Sequence, residues 1–397
     1  LLEAAGKDYF HDNCALEMYI KKYYFRTQFS LDNIKPIIKM LKDKIDKVKR
    51  ALTRLHQINK ETGKGNLKII QDYYSLYKTI QITFFEYFKF EIEKQPEIFR
   101  RTFLSAANKH KYLEILNPRD YFILARNKYI THLCLESAGI PKPVLYCYYD
   151  PMSKIDNNRI GYDFTSVLKI LKGKSIGKCI IKTTETSQGE GVLLINSIEY
   201  KNDSCYLNSF NGDVIELSKL LKKEPLVFES VIEQTGQFKN FNFSSVNTIR
   251  FMTLLLPTGE AKVIATFMRI GRNGSCVDNA GNGGNIDAAV DIATGRIHSA
   301  IEFNGWRKTT PITNHPDNGS LLEGVIIENW HDITNRITQF QQAMPFLRAI
   351  GWDIAITDNG PVVIEINDYW DETGQLFIGK GWKQEIENGY NEWKKHY

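Results

Sequence analysis

A chain of 397 residues with 43% hydrophobic and 24% charged residues has the composition of a globular protein of two or three domains. No apolar run reaches the roughly 18 residues of a membrane-spanning helix, and no secretory signal is visible, which points to the cytoplasm or the inner face of the membrane. Six scattered cysteines (Cys14, Cys134, Cys147, Cys179, Cys205 and Cys276) with no Cys-x-x-Cys pair exclude a zinc ribbon or a disulfide framework and suit a reducing compartment.

The net charge of +5 is unevenly placed. Residues 1–115 hold 22 Lys+Arg against 14 Asp+Glu, and the remainder 29 against 32. The basic part suits phosphate, anionic glycan, nucleic acid or an anionic lipid surface. It reads as helical. Over 31–58, Ile34, Ile37, Ile38, Leu41, Ile45, Val48, Leu52 and Leu55 recur at steps of three and four, an amphipathic helix. ETGKGN (61–66) breaks it. QDYYSLYKTIQITFFEYFKFEIEK (71–94) predicts a second, aromatic-rich helix antiparallel to the first.

From about 118 the pattern changes. NKYITHLCLESAGIPKPVLYCYYD (127–150) predicts a helix ended by Gly139 and Pro141, then a strand. CIIKTTETSQGEGVLLI (179–195) is strand, polar glycine loop, strand. EPLVFESVIEQ (224–234) is a strand and a bend. SVNTIRFMTLLLPTGEAKVIATFMRIG (245–271) is a hairpin turned at Pro257-Thr258-Gly259, followed by the polar, glycine-rich 271–291. A helix over 331–349 runs into GWDIAITDNGPVVIEIND (351–368), a last hairpin. Strands and helices mix without βαβ alternation, so the class is α+β.

Three pieces carry chemistry. Lys182 stands at a strand end before a loop with Gly189 and Gly191. Free amides at such a turn cradle phosphate and the lysine adds a point charge, although no Gly-Lys-Ser/Thr follows. Arg250 and Arg269 lie on adjacent strands of one hairpin, and Asp278, Asn279 and Gly283-Gly284 beyond it suggest a ligand mouth. In the last hairpin, a three-residue turn at Asp358-Asn359-Gly360 pairs Asp353 with Glu365. Alternation then puts Asp353, Ala355, Glu365 and Asn367 on one face, with Ile354, Ile356, Val362, Ile364 and Ile366 buried on the other. Opposed carboxylates repel, and a hard divalent cation offsets that. A solvated polar face is the other reading.

In this order the parts resemble the ATP-grasp superfamily, and more specifically its sugar-transfer-associated branch, over residues 118–376. NKYITHLCLESAGIPKP, IIKTTETSQGEGV, LVFESVIEQ, SVNTIRFMTLL, MRIGRNGSCVDN with GGNIDAAVD, and GWDIAITDNGPVVIEIND carry the resemblance. It implies an ATP-grasp fold, two α+β subdomains gripping ATP behind a helical N-terminal region. The divisions expected are 1–117 helical, 118–178 a linker or small subdomain, 179–235 the lid, and 236–397 the large subdomain. It implies that Lys128 and Lys182 contact ATP phosphates under the loop 184–191. Glu229, Ser230 and Ile232 would form the adenine hinge, and Glu233, with Gln237 behind it, would meet the ribose. Asp353, Glu365 and Asn367 would hold Mg²⁺ or Mn²⁺. Arg250 and Arg269 would face the transferred phosphoryl group, with Asp278, Asn279 and His315 toward substrate and His315 a candidate base. Two departures stand out: the lean loop Ser187-Gln188-Gly189-Glu190-Gly191, and Asn367-Asp368 in place of the commoner Asn-x-x-Pro-Gly.

The activity so implied is ATP- and Mg²⁺-dependent, ADP-forming carboxylate–amine ligation through an acyl phosphate. It would join an amino acid or amine to a sugar acid in surface (capsular) polysaccharide biosynthesis. A phosphotransferase acting on a sugar or glycan, or a non-catalytic nucleotide-binding protein, are the alternatives. The implied partners are small-molecule or glycan-linked acids and amines and polysaccharide-assembly proteins, not nucleic acid. Trp306, Trp370, Trp382 and Trp393 are candidates for stacking on sugar rings.

Overall fold

The computed structural model describes residues 31–185, 191–201, 204–222, 224–242, 244–274 and 286–396, with side chains for all of these except 31–38 and 41. Gly189, Asp278 and Asn279 therefore lie outside the described residues. The chain divides into two units, Leu1–Gln71 and Asp72–Tyr397.

In the first unit, helix α1 (Leu31–Thr62) runs one turn past its predicted end. Gly63 stops it in the left-handed region, at φ +68°, and donates its amide to Asn59 O at 2.8 Å. α2 (Asn66–Ile80) begins there and enters the second unit. The single helix predicted over 71–94 is broken. Gln81 takes φ +55°, and Thr83 caps a new helix, α3 (Phe84–Lys89): its hydroxyl accepts from Glu86 N (3.1 Å) while Glu86 Oε2 accepts from Thr83 N (2.9 Å). α4 (Glu97–Thr102) and α5 (Ala106–Leu116), the latter capped by Ser105, follow. The helical segment expected over 1–117 thus divides at 71/72, and Leu104, Tyr112, Leu113 and Leu116 belong to a core shared with Leu254, Trp370, Trp382 and Ile386.

Helix α6 (Ile123–Arg126) and α7 (Lys128–Ser137) precede two seven-stranded sheets. The first contains β1 (Leu145–Tyr149), β2 (Ile160–Gly161), β3 (Cys179–Thr183), β4 (Val192–Lys201), β5 (Ser204–Ser209), β6 (Val214–Glu216) and β7 (Leu226–Glu229). Its order is β2-β1-β7-β3-β4-β5-β6, so segments 118–178 and 179–235 contribute to one sheet. Helix α8 (Phe164–Gly173) closes its core through Val167, Ile170 and Leu171.

The second sheet contains β8 (Thr248–Leu255), β9 (Ala261–Ile270), β10 (Ile286–Val290), β11 (Ile297–Phe303), β12 (Thr309–Ile312), β13 (Ala349–Thr357) and β14 (Gly360–Asn367), in the order β12-β11-β10-β9-β8-β13-β14. One face packs on α11 (Trp330–Ala343), numbered after the short α9 (Leu217–Leu220) and α10 (Gly236–Phe241), through Trp330, Ile333, Ile337 and Phe340. The other face packs on α5, α12 (Gly374–Ile378) and α13 (Lys383–Lys394). Burial on both sides leaves every residue of β8 buried, and it makes the polar and charged side chains on this sheet informative.

The last hairpin pairs Asp353 with Glu365, as predicted, but by a different route. Its turn has two residues, Asp358 and Asn359, between the paired Thr357 and Gly360, with Gly360 at φ +100°. A bulge between Asp353 and Ile354 shifts the register by one residue. The predicted inward face is therefore wrong near the turn: Val363 is buried, while Val362 and Ile364 are only partly covered.

Candidate functional site

The shared face of β8, β9, β10, β13 and β14 is apolar over one end and charged over the other. Ile249, Phe251, Trp352, Ile354, Val363 and Ile366 point to α11, so their neighbours in sequence point the opposite way. Those neighbours are Arg250, Asp353, Glu365 and Asn367, joined by Arg269 on β9 and Asp287 on β10. In the ladder Asp287 lies opposite Arg269, and Asp353 lies opposite both Arg250 and Glu365. Across the β8–β9 hairpin Arg250 faces Phe267, two residues from Arg269, so the two arginines share a face.

Asp353 is buried and bidentate on Arg250, with Nε–Oδ1 at 2.5 Å and Nη2–Oδ2 at 2.8 Å; Arg269 Nη1 lies 3.6 Å from Oδ2. Burial opposes its ionisation, but Arg250 and Arg269 outweigh burial and hold its pKa below the ordinary range. Glu365 is the reverse case. Burial and the facing Asp353 push its pKa up, against the pull of Lys128, Arg250 and Lys182. Asn367 Nδ2 donates to Gly351 O (3.2 Å) and Asp353 Oδ2 (3.4 Å), which leaves its Oδ1 as an acceptor. An under-compensated carboxylate, a second carboxylate and an amide oxygen form a donor set that fits Mg²⁺, which takes one or two protein carboxylates and completes its shell with phosphate and water. Among the described residues no three His, Cys, Asp or Glu side chains are grouped to hold a metal by themselves.

The first sheet supplies the cations. Lys182 Nζ donates to Glu229 Oε2 at 2.7 Å, and His132 Nε2 donates to Glu229 Oε1 at 2.9 Å, all three buried. Burial alone would raise the Glu229 pKa; Lys182 and His132 reverse this and lower it to about 2. The Glu229 side chain, in the segment expected as the adenine hinge, is thus the shared acceptor of Lys182 and His132. His132, absent from the sequence reading, sits one helical turn after Lys128 on α7, and its Nδ1 is buried without a hydrogen-bond partner among the described residues. Lys128 opens α7, with Asn127 as its cap, and Lys128 N donates to Thr184 O (2.9 Å), tying that helix end to the start of the glycine loop. Burial lowers the Lys128 pKa, opposed by the pull of Glu365.

The loop closes on Gly191, at φ +69°, where a Cβ would stand 2.7 Å from Thr183 Oγ1. Gly191→Ala is expected to cost about 1–3 kcal/mol and to weaken binding of a non-hydrolysable ATP analogue, read by thermal melting and calorimetric titration. An unchanged melt and affinity would show that the loop tolerates a side chain here.

Other predicted residues are engaged differently. Ser230 N donates to Val144 O and its Oγ accepts from Val144 N, both at 2.9 Å, so this hinge amide extends the β1–β7 ladder instead of facing outward. Ile232 is partly exposed. Glu233 is exposed and pairs with Lys178 at 3.0 Å. Gln237 bonds Ile326 O and Glu328 N through its amide. His315 is buried: Asp317 N donates to its Nδ1 (3.2 Å), so its Nε2 carries the proton and donates to Gly271 O (3.0 Å). With both nitrogens on backbone, it pins the end of β9 and is not placed as a base.

The departure at Asp368 also has a physical account. Arg126 holds this carboxylate in a fork at 2.8–3.2 Å, which fastens the residue before the Asn127 cap to the end of β14. Of the four tryptophans, Trp370 and Trp382 are in the core, and Trp393 bonds Leu255 O beneath Arg348. Trp306 is the exposed one, with Lys89 Nζ 3.8 Å from its ring centre.

A mixed sheet with a buried lysine beside a glycine loop, and an antiparallel sheet with paired carboxylates flanked by arginines, define an ATP-grasp protein. Residues 107–389 match the model of the sugar-transfer associated ATP-grasp family, and the chain belongs to that family.

Solved structures similar to this chain include an N5-carboxyaminoimidazole ribonucleotide synthetase in complex with ADP (11% identity, TM-score 0.34, covering 64% of this chain and 51% of that one). Others are the D-alanine–D-alanine ligase of Bacillus anthracis (14%, 0.35, 69% and 70%) and the N5-carboxyaminoimidazole ribonucleotide synthetase of Thermotoga maritima (14%, 0.38, 70% and 52%). The chain spans about half the length of the two synthetases. No protein of curated function matches the chain. Among the described residues no helix is long and apolar enough to cross a membrane.

Proposed function

We propose that the chain is an ATP- and Mg²⁺-dependent carboxylate–amine ligase that forms ADP and joins an amino acid or other amine to a sugar acid during surface polysaccharide assembly in the cytoplasm. The observation that carries this reading is the charged row on one face of the second sheet, with Glu365, Asp353 and Asn367 beside Arg250 and Arg269 and in the field of Lys128 and Lys182. The sheet of β1–β7 is the lid lobe over the nucleotide, and the sheet of β8–β14 carries metal and substrate. Lys128 and Lys182 hold the ATP phosphates. Glu365, Asn367 and an Asp353 oxygen hold Mg²⁺, which screens phosphate charge when bound. Arg250 is fixed by its two bonds to Asp353. Arg269, whose Nη1 lies 3.6 Å from Asp353 Oδ2, is the cation for the transferred phosphoryl group and the substrate carboxylate.

In this chemistry the carboxylate oxygen attacks the terminal phosphorus, ADP leaves, and the amine then displaces phosphate from the acyl phosphate. No side-chain nucleophile is needed. The thiols of Cys147 and Cys179 suit that account, since burial pushes both up to about 12 and leaves no thiolate to attack.

The test is ADP release across a matrix of uronic acids and amino acids. Release that needs both an acid and an amine is expected. A phosphorylated sugar formed without amine would assign a phosphotransferase instead, and tight binding of ATP with no turnover would assign a nucleotide-binding protein.

A further inference from the structure

Helix α1 carries a feature that an ATP site does not use. Its apolar residues at 34, 38, 41, 45, 48, 52 and 55 alternate steps of four and three without a break. That is the 3.5-residue period of a coiled-coil seam; Ile37, Ala51 and Ile58 widen it toward the two ends, and between Lys42 and Lys49 it is reduced to the a and d positions alone. In the described part of the seam, Ile45, Val48 and Leu52 are 39%, 59% and 53% exposed, while Leu55 is buried.

The flanks of the seam are of one sign. In heptad terms Ile38, Ile45 and Leu52 are a positions, and Ile34, Leu41, Val48 and Leu55 are d positions. The e positions are then Lys35, Lys42, Lys49 and His56, and the g positions Ile37, Lys44, Ala51 and Ile58. Every fully charged flanking residue is a lysine. The acids of the helix, Asp32, Asp43, Asp46 and Glu61, all fall at b, c or f positions, away from the seam.

This pattern selects the occupant. A second copy would bring lysine against lysine: parallel pairing sets Lys44 at g against Lys49 at the following e, and antiparallel pairing opposes the e positions, three of four of them lysine, with one another. An anionic bilayer rewards a broad apolar face set well apart from the polar one, and over its exposed stretch 42–50 α1 offers a narrow seam edged by Lys42, Lys44 and Lys49, with Asp43 and Asp46 on the opposite side. A polyanionic glycan would use the lysines and have no use for the seam. We propose that α1 is a docking helix for another protein, receiving a heptad-patterned helix with aliphatic a and d positions and acidic e and g positions.

The test uses the full chain and synthetic peptides about four heptads long, with Ile and Leu at the seam and either Glu or Lys at both flanks, followed by fluorescence anisotropy at low and high salt. The Glu peptide is expected to bind at least about tenfold tighter than the Lys peptide, and to weaken as salt rises. Val48→Asp with Leu52→Asp should abolish binding, and Lys42→Glu with Lys44→Glu and Lys49→Glu should reverse the preference. These positions are exposed, so each variant should keep its helix content and melt, which circular dichroism checks. Four results would overturn the proposal. They are equal affinity for the two peptides, a homodimer that Val48→Asp dissociates, tighter binding to phosphatidylcholine–phosphatidylglycerol vesicles than to the Glu peptide, and peptide binding that appears only once residues 1–30 are removed.

Discussion

Glu365→Gln is expected to reduce ATP turnover by at least about a thousandfold while leaving the protein as stable as wild type or slightly more so. The reason is the direction of the Glu365 shift. In the folded chain burial and Asp353 disfavour its ionised form, so at neutral pH the charge opposes folding and an uncharged isostere relieves it. Asp353→Asn differs sharply, although the two residues are cross-strand partners. Asp353 is the bidentate acceptor of a buried Arg250. Removing its charge strands the guanidinium, at a cost of about 3–5 kcal/mol, so this variant should lose both turnover and stability. Chemical denaturation and steady-state ADP release on the same preparations separate the two. A Glu365→Gln protein that melts well below wild type, or that keeps its rate, would remove Glu365 from the proposed metal set. The same shift predicts that Mn²⁺ affinity of the wild type declines on acidification from above the ordinary glutamate value of 4.5, because the cation competes with a proton for this carboxylate.

Much of this site was legible from alternation and turn chemistry. The Asp353–Glu365 pairing came from centring a hairpin on Asn359, and it holds because two errors cancel: the turn is one residue shorter, and the bulge after Asp353 restores the register. Sequence alternation cannot reveal a bulge in an apolar run, which is why Val363 rather than Val362 and Ile364 faces the core. The break in the 71–94 helix was readable, since Thr83 and Glu86 have capping-box spacing, but the aromatic periodicity around them masked it. His132 had a signal too, four residues after Lys128 on one helix face. Glu229 and Asp287 had none, because their roles depend on neighbours brought in by cross-strand pairing: Lys182 two strand positions from Ile180, the partner of Glu229, and Arg269 opposite Asp287. A strand carboxylate flanked by apolar residues reads the same whether it meets a lysine or water. Arg126 and Asp368 stand 242 residues apart, and only the fold shows that the departure from the commoner ending is a clamp.

Glu229→Gln should expose a second electrostatic dependence, this time with the opposite sign to Glu365. Glu229 is held at about 2 in the folded chain against an ordinary value of 4.5. A depressed carboxylate stabilises the fold fully above its unfolded pKa and loses that contribution as pH falls through its folded pKa. The difference corresponds to about 3 kcal/mol at pH 7, of which about 2 kcal/mol should be gone by pH 3. Wild type and Glu229→Gln should therefore differ in stability by that order at neutral pH and converge on acidification, as followed by urea unfolding across the range. The variant also leaves Lys182 buried with no carboxylate, so its nucleotide affinity should respond as well. If Lys182 holds the phosphates as proposed, an ATP analogue should bind Lys182→Met about 10–100-fold more weakly. In Glu229→Gln the lysine survives but is no longer anchored, so affinity should fall less, and the bound analogue should recover part of the lost stability by supplying the missing negative charge. A stability gap between wild type and Glu229→Gln that is the same at pH 7 and pH 3 would show that the Glu229 carboxylate is not ionised between Lys182 and His132, and with it would go the reason for calling Lys182 a preset phosphate ligand.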